Sequence, residues 1–124
     1  MIKIPIYKEN AEKYKELLIE LRPNVNVSFC DGDVNLYYLG FIDYFPCYIV
    51  IDMSDSEMID LLEELFDMEI SAYNYDDKIL YSSCSKLNDE ERKIKKQAEE
   101  NMKKYTKFAP LYGLCEKYYN LKNE

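Results

Sequence analysis

Histidine and tryptophan are missing from this sequence, glycine occurs three times, and no lysine or arginine stands between residues 23 and 77. Each gap removes a class of function. Without His the chain lacks the side chain that titrates near neutrality and supplies most general bases. It also lacks the usual nitrogen ligand of a zinc site. Gly32, Gly40 and Gly113 are too scattered for a phosphate-cradling loop or a dinucleotide fingerprint, and no Gly-x-Ser-x-Gly occurs. The expectation is a protein that binds and does not catalyse, with no cofactor and no metal.

Other absences bear on compartment. No apolar run approaches the ~18–20 residues that span a bilayer. The alternating start Met1-Ile2-Lys3-Ile4-Pro5-Ile6-Tyr7 is unlike a signal peptide's apolar stretch. A cytosolic protein is expected, in a bacterium or a phage-infected host. Cys30, Cys47, Cys84 and Cys115 form no Cys-x-x-Cys pair. At 124 residues and 48% apolar, the chain can bury a core without disulfides, so four reduced and mostly buried thiols are expected.

What is present points to one α+β domain over residues 1–124, with an α+β core (1–84) and a helical C-terminal part (85–124). Ile2, Ile4 and Ile6 alternate as a strand, and Pro5 suggests a sheet edge. Ala11, Tyr14, Leu17, Leu18 and Leu21 recur at helical spacing over Asn10–Leu21, closed by Pro23. Asp31-Gly32 predicts a type I′ hairpin turn that sets Phe29 against Val34, Val27 against Leu36 and Val25 against Tyr38. Asp31-Gly32-Asp33 is far shorter than a calcium loop. A bend at Asp43-Tyr44-Phe45-Pro46 leads to a strand over Cys47–Met53.

Ser54 with Glu57 forms a capping box for a second helix, whose stripe is Met58, Leu61, Leu62 and Leu65. Glu69 would fall among these leucines, so the helix is expected to end near Met68, with a short strand or irregular segment over Ile70–Tyr75. Asn88 with Glu91 caps a third helix running to about Phe108, and Pro110 breaks it and starts a last one. The order β-α-β-β-β-α followed by a helical pair suits a small antiparallel sheet with helices on one face.

Charge is segregated along this chain. Residues 1–22 carry a net +1, residues 23–77 carry 13 acidic and no basic side chains, and residues 78–124 carry a net +4, giving −8 in all. On the second helix Glu57, Asp60, Glu63, Glu64 and Asp67 fall within about 120° of one another. Asp52, Asp55, Asp76 and Asp77 lie at the edges. Asp60–Glu64 and Glu63–Asp67 are like-charge i,i+4 pairs, each costing roughly 0.2–0.5 kcal/mol. Three readings follow: the basic run Arg92-Lys93-Ile94-Lys95-Lys96 neutralises this face, the face is simply solvated, or a partner covers it. Nucleic acid is an unfavourable direct partner, because glutamates interleave with those lysines and the whole chain repels phosphate.

These nine carboxylates are the candidate partner-binding residues. The expected function is inhibition or regulation by docking them on a basic surface, such as the nucleic-acid channel of a nuclease or other nucleic-acid-binding protein. Small size, acidity and missing catalytic groups resemble, in general character and without a shared motif, phage-encoded anti-defence proteins such as anti-CRISPR inhibitors. Abundant Tyr, Lys, Asn and Ile agree with an AT-rich coding sequence from a low-GC bacterium or its phage. Two alternatives draw on the tyrosines of the chain and on the apolar surplus of its C-terminal segment. One stacks the tyrosines on the base of a sequestered nucleotide. The other buries Leu111, Tyr112, Leu114, Tyr118, Tyr119 and Leu121 against a second copy of the chain.

Overall fold

The computed structural model describes residues 1–38 and 41–122, with the backbone alone for 32–38 and 41–46. Strand β1 is Ile2–Ile6, helix α1 is Ala11–Leu21, and strands β2 and β3 are Val27–Tyr38 and Phe41–Ile51. Helix α2 is Asp55–Tyr73, the short α3 is Asp77–Leu80, and α4 is Asp89–Lys122. Single 3-10 turns at Lys8–Asn10 and Cys84–Lys86 lead into α1 and α4.

The strands form one antiparallel sheet in the order β1-β3-β2. Ile2 pairs with Ile51, Ile4 with Ile49 and Ile6 with Cys47, so six apolar side chains share a face. That face is buried beneath Leu17 and Leu18 of α1, Met58, Leu61, Leu65 and Met68 of α2, and Phe108, Leu111, Leu114 and Cys115 of α4. Lys3, Ser28 and Cys30, on the other face, are exposed. The protein is therefore a small α+β fold with its helices on one side of the sheet.

Local expectations are corrected in the sheet, in α2 and in α4. The Asp31-Gly32 turn does not form: β2 runs through it, and Phe29 pairs with Ile49, Val27 with Ile51, Val34 with Phe45 and Leu36 with Asp43. Register shifts between Asp31, opposite Cys47, and Val34, opposite Phe45, so Gly32 and Asp33 together face Pro46. Proline cannot donate to a ladder, and a bulge is where a strand accommodates one. The glycine serves that bulge, the expected bend at Asp43–Pro46 is strand, and three strands replace four. The link between β2 and β3 falls on residues 39 and 40, outside the described residues.

Helix α2 continues to Tyr73, and the segment expected as strand over Ile70–Tyr75 is mostly its last turn. Met68 and Ala72 extend the buried stripe of Met58, Leu61 and Leu65. Glu69 lies roughly 60° from that stripe's centre, on its flank and not within it. The Ser54–Glu57 box forms at the other end, with Glu57 N donating to Ser54 Oγ at 3.2 Å and Ser54 N to Glu57 Oε1 at 3.4 Å.

Helix α4 is continuous across Pro110, so the expected C-terminal pair is one long helix. An interior proline removes one backbone bond and crowds the carbonyl four residues back. Phe108, Leu111, Leu114 and Cys115, buried on both sides of Pro110, hold the helix together by packing. Its start is the expected one: Glu91 N donates to Asn88 Oδ1 at 2.8 Å and Asn88 N to Glu91 Oε1 at 3.1 Å.

Candidate partner-binding face

Helices α2 and α4 pack antiparallel, since Tyr73 near the end of α2 meets Tyr105 while Asp55 at its start meets Tyr118 and Lys122. Helix α2 carries six of the carboxylates singled out above, and Asp52, Asp76 and Asp77 lie beyond its ends. All are exposed except Glu64, which is half-buried. They do not act alike.

Asp55 and Glu64 are already matched. Lys122 Nζ and Tyr118 Oη both donate to the Asp55 carboxylate, the latter at 2.8 Å. Hydrogen bonds from Lys122 and then Tyr118 hold its carboxyl below the usual carboxylate range, and the same bond raises Lys122. Arg22, at the end of α1, lies 2.7 Å from Glu64. Glu57 is committed to the capping box.

Asp60, Glu63 and Asp67 form no ion pair among the described residues. Lys104 lines a shallow groove with Glu64 and Asp67 without pairing to either. The edge residues are dispersed. Asp52 lies before α2 beside Arg22 and Glu57, whereas Asp76 caps α3 by accepting from Lys78 N at 2.9 Å, and Asp77 begins that helix. About 28 Å of helix separates these two ends. The nine carboxylates thus reduce to a central trio, two neutralised neighbours, the capping Glu57 and three scattered edges.

The basic run is not the neutralising partner. Arg92 Nε donates to Cys84 O at 2.8 Å and Lys95 Nζ to Ser82 O at 2.6 Å, tying the loop before α4 to its first turns.

Beside the trio lies a feature the sequence reading omits. Ile59, Phe66, Ile70 and Tyr73 form a second apolar ridge on α2, each 45–60% exposed. The signal was their three- and four-residue spacing, concealed by ending the helix at Met68. Across from this ridge stand Tyr105, Tyr112 and Tyr119 of α4, seven residues apart. Leu62, Phe66, Tyr112 and Tyr119, with Glu63 and Glu116 at the margin, line a groove of about 360 Å³. Tyr112 is pushed up to about 12 by burial and then by the charges of Glu116 and Glu69.

Among the described residues no helix is long and apolar enough to cross a membrane, and no group of His, Cys, Asp or Glu is arranged to hold a metal ion. The cysteines are free, with Cys47 and Cys115 buried and Cys30 and Cys84 exposed, which halves the expected burial. No protein-family model, curated protein or solved structure matches this chain.

Proposed function

We propose that this chain is a non-enzymatic binding protein that docks the outer face of α2 onto a basic protein surface, in the manner of a charge-mimicking inhibitor. What supports the reading is that Asp60, Glu63 and Asp67 stay exposed and form no ion pair among the described residues, although Arg22 after α1 and Lys122 of α4 reach Glu64 and Asp55 on the same helix. The fold tolerates like-charge neighbours there that it neutralises one turn away. A cationic partner offsets that repulsion, and carboxylates along a helix substitute for phosphates in a nucleic-acid channel. The expected partner is a nuclease or another nucleic-acid-binding protein, and the biological setting is of the phage or mobile-element anti-defence kind.

The test compares the wild type with Asp60→Asn/Glu63→Gln/Asp67→Asn as baits in a bacterial lysate at ~50 and ~200 mM salt. The expected partner is captured by the wild type at low salt and lost at high salt or with the variant. Its nucleic-acid binding falls when the chain is added. Identical capture by both baits at both salts would exclude charge mimicry.

A further inference from the structure

We infer that the groove between α2 and α4 receives an amphipathic helix of the partner, with its apolar side on Phe66 and Tyr112 and its flanking lysines or arginines against Glu63 and Glu116. The inference rests on the reading of this face as a dock for a basic surface, and it specifies what that surface must look like.

Three observations favour this occupant. The first is shape. The apolar ridge runs from Ile59 to Tyr73, about 21 Å of helix, and Leu62 and Tyr119 belong both to the main groove and to the smaller cleft beside Ile59. At the far end Tyr73 and Tyr105 meet edge to face, 5.8 Å apart. Two antiparallel helices leave between them the trough that a third helix fills.

The second is backbone chemistry. Both walls are helices whose N–H and C=O groups are satisfied internally, so an extended peptide finds no ladder to join. Recognition must come from side chains, which is the helix-in-groove mode.

The third is charge. Glu63 and Glu116 line the groove, and the charges of Glu116 and Glu69 act on Tyr112 in its wall. Lys122 is the cation bordering the smaller cleft, and Asp55 holds it. A second copy of this chain is a poor occupant, because a two-fold contact sets the same carboxylates against one another. A helix with cationic flanks meets them favourably.

The experiment uses the full chain and a labelled model peptide of leucine and lysine, about 16 residues long to match the groove, with its leucines on one helical face. Controls are a shuffled peptide of the same composition and one with glutamate in place of lysine. The expected results are helix formation on binding and affinity about tenfold above the shuffled peptide. Phe66→Ser, at an exposed position that leaves folding intact, should lose most of that advantage, while Glu63→Gln/Glu116→Gln should weaken binding chiefly at low salt. Equal, salt-sensitive binding of both lysine peptides would overturn the groove inference and leave the charge reading standing. Preferred binding of the amphipathic peptide that ignores salt, with the glutamate peptide bound as well, would overturn the charge reading instead. Sedimentation as a dimer that Phe66→Ser dissociates would overturn the inference by assigning the groove to a second copy.

Discussion

Lys122, in the last described turn of α4, donates a hydrogen bond to Asp55, the first residue of α2, closing the helix pair at one end. The carboxyl of Asp55 is lowered, so its contribution is present above the ordinary carboxylate pKa of ~3.9 and is lost as pH falls through the lower folded value. Lys122 is raised, so its contribution is complete below ~10.4 and is lost as pH rises through the higher folded value. Lys122→Gln should therefore melt slightly below the wild type at neutral pH, and the two curves should converge at strongly acidic pH. The difference is small because both groups are exposed. A gap in Tm that persists unchanged to the acid end would mean that Lys122 acts through its stem and not its charge.

The two apolar stripes of α2 should separate stability from binding. Leu61 is fully buried under the sheet, and Leu61→Ala should cost about 2–5 kcal/mol in urea unfolding. Phe66 is half exposed, and Phe66→Ser should change stability by under ~1 kcal/mol, since surface changes away from a core or cap are nearly neutral. A loss at Phe66 equal to that at Leu61 would show that the outer ridge is core.

Much of this architecture was legible because local and tertiary signals agreed. The isoleucines of β1, the Ser54–Glu57 box and the Asn88–Glu91 cap each name their element from a few residues, and each is observed. The failures occur where tertiary packing overrode a strong local signal. Asp31-Gly32 is a good turn, but Asp31 pairs with Cys47, and Gly32 with Asp33 forms a bulge across from Pro46. Pro110 is a good breaker, but four buried residues around it pack on α2 and the sheet. At the candidate site the carboxylates were legible as a helix face. Which of them are neutralised was not, because Arg22 and Lys122 reach them from elements far away in sequence.

Pro110 supplies its own test. Pro110→Ala restores the amide that the helix lacks and removes the clash with the preceding turn, so it should stabilise the protein by up to about 3 kcal/mol. Urea unfolding measures this directly. Destabilisation would mean that the backbone geometry proline imposes is needed to seat Leu111 and Leu114 against the core.

The thiols should divide into two classes. Burial, then the charge of Glu116, pushes Cys115 up to about 12, and burial first also raises Cys47, whose Sγ donates to Ile6 O at 3.5 Å. Thiolate is the reactive form, so both should resist a thiol reagent at pH 8 while Cys30 and Cys84 react. Denaturant should release the remaining two. Four equally fast thiols in the native protein would contradict the packing of α4 on the sheet.

The unpaired trio should show a cost in the free protein that binding explains. Glu63–Asp67 carries roughly 0.2–0.5 kcal/mol of repulsion, whereas Arg22 offsets the charge of Glu64 beside Asp60. Asp60→Asn/Glu63→Gln/Asp67→Asn removes that repulsion and disrupts no ion pair, hydrogen bond or cap among the described residues. The variant should therefore unfold at slightly higher urea than the wild type, by roughly 0.2–0.5 kcal/mol, with an unchanged slope. The gap should narrow as salt rises, because these charges are exposed and screened. An inert solvated face would give the same gain in stability with no loss elsewhere. A docking face gives the gain together with weaker capture of a cationic partner at low salt, and that conjunction separates the two. Should the variant be less stable than the wild type, the trio would be structural, and the reason for reading it as a binding surface would disappear.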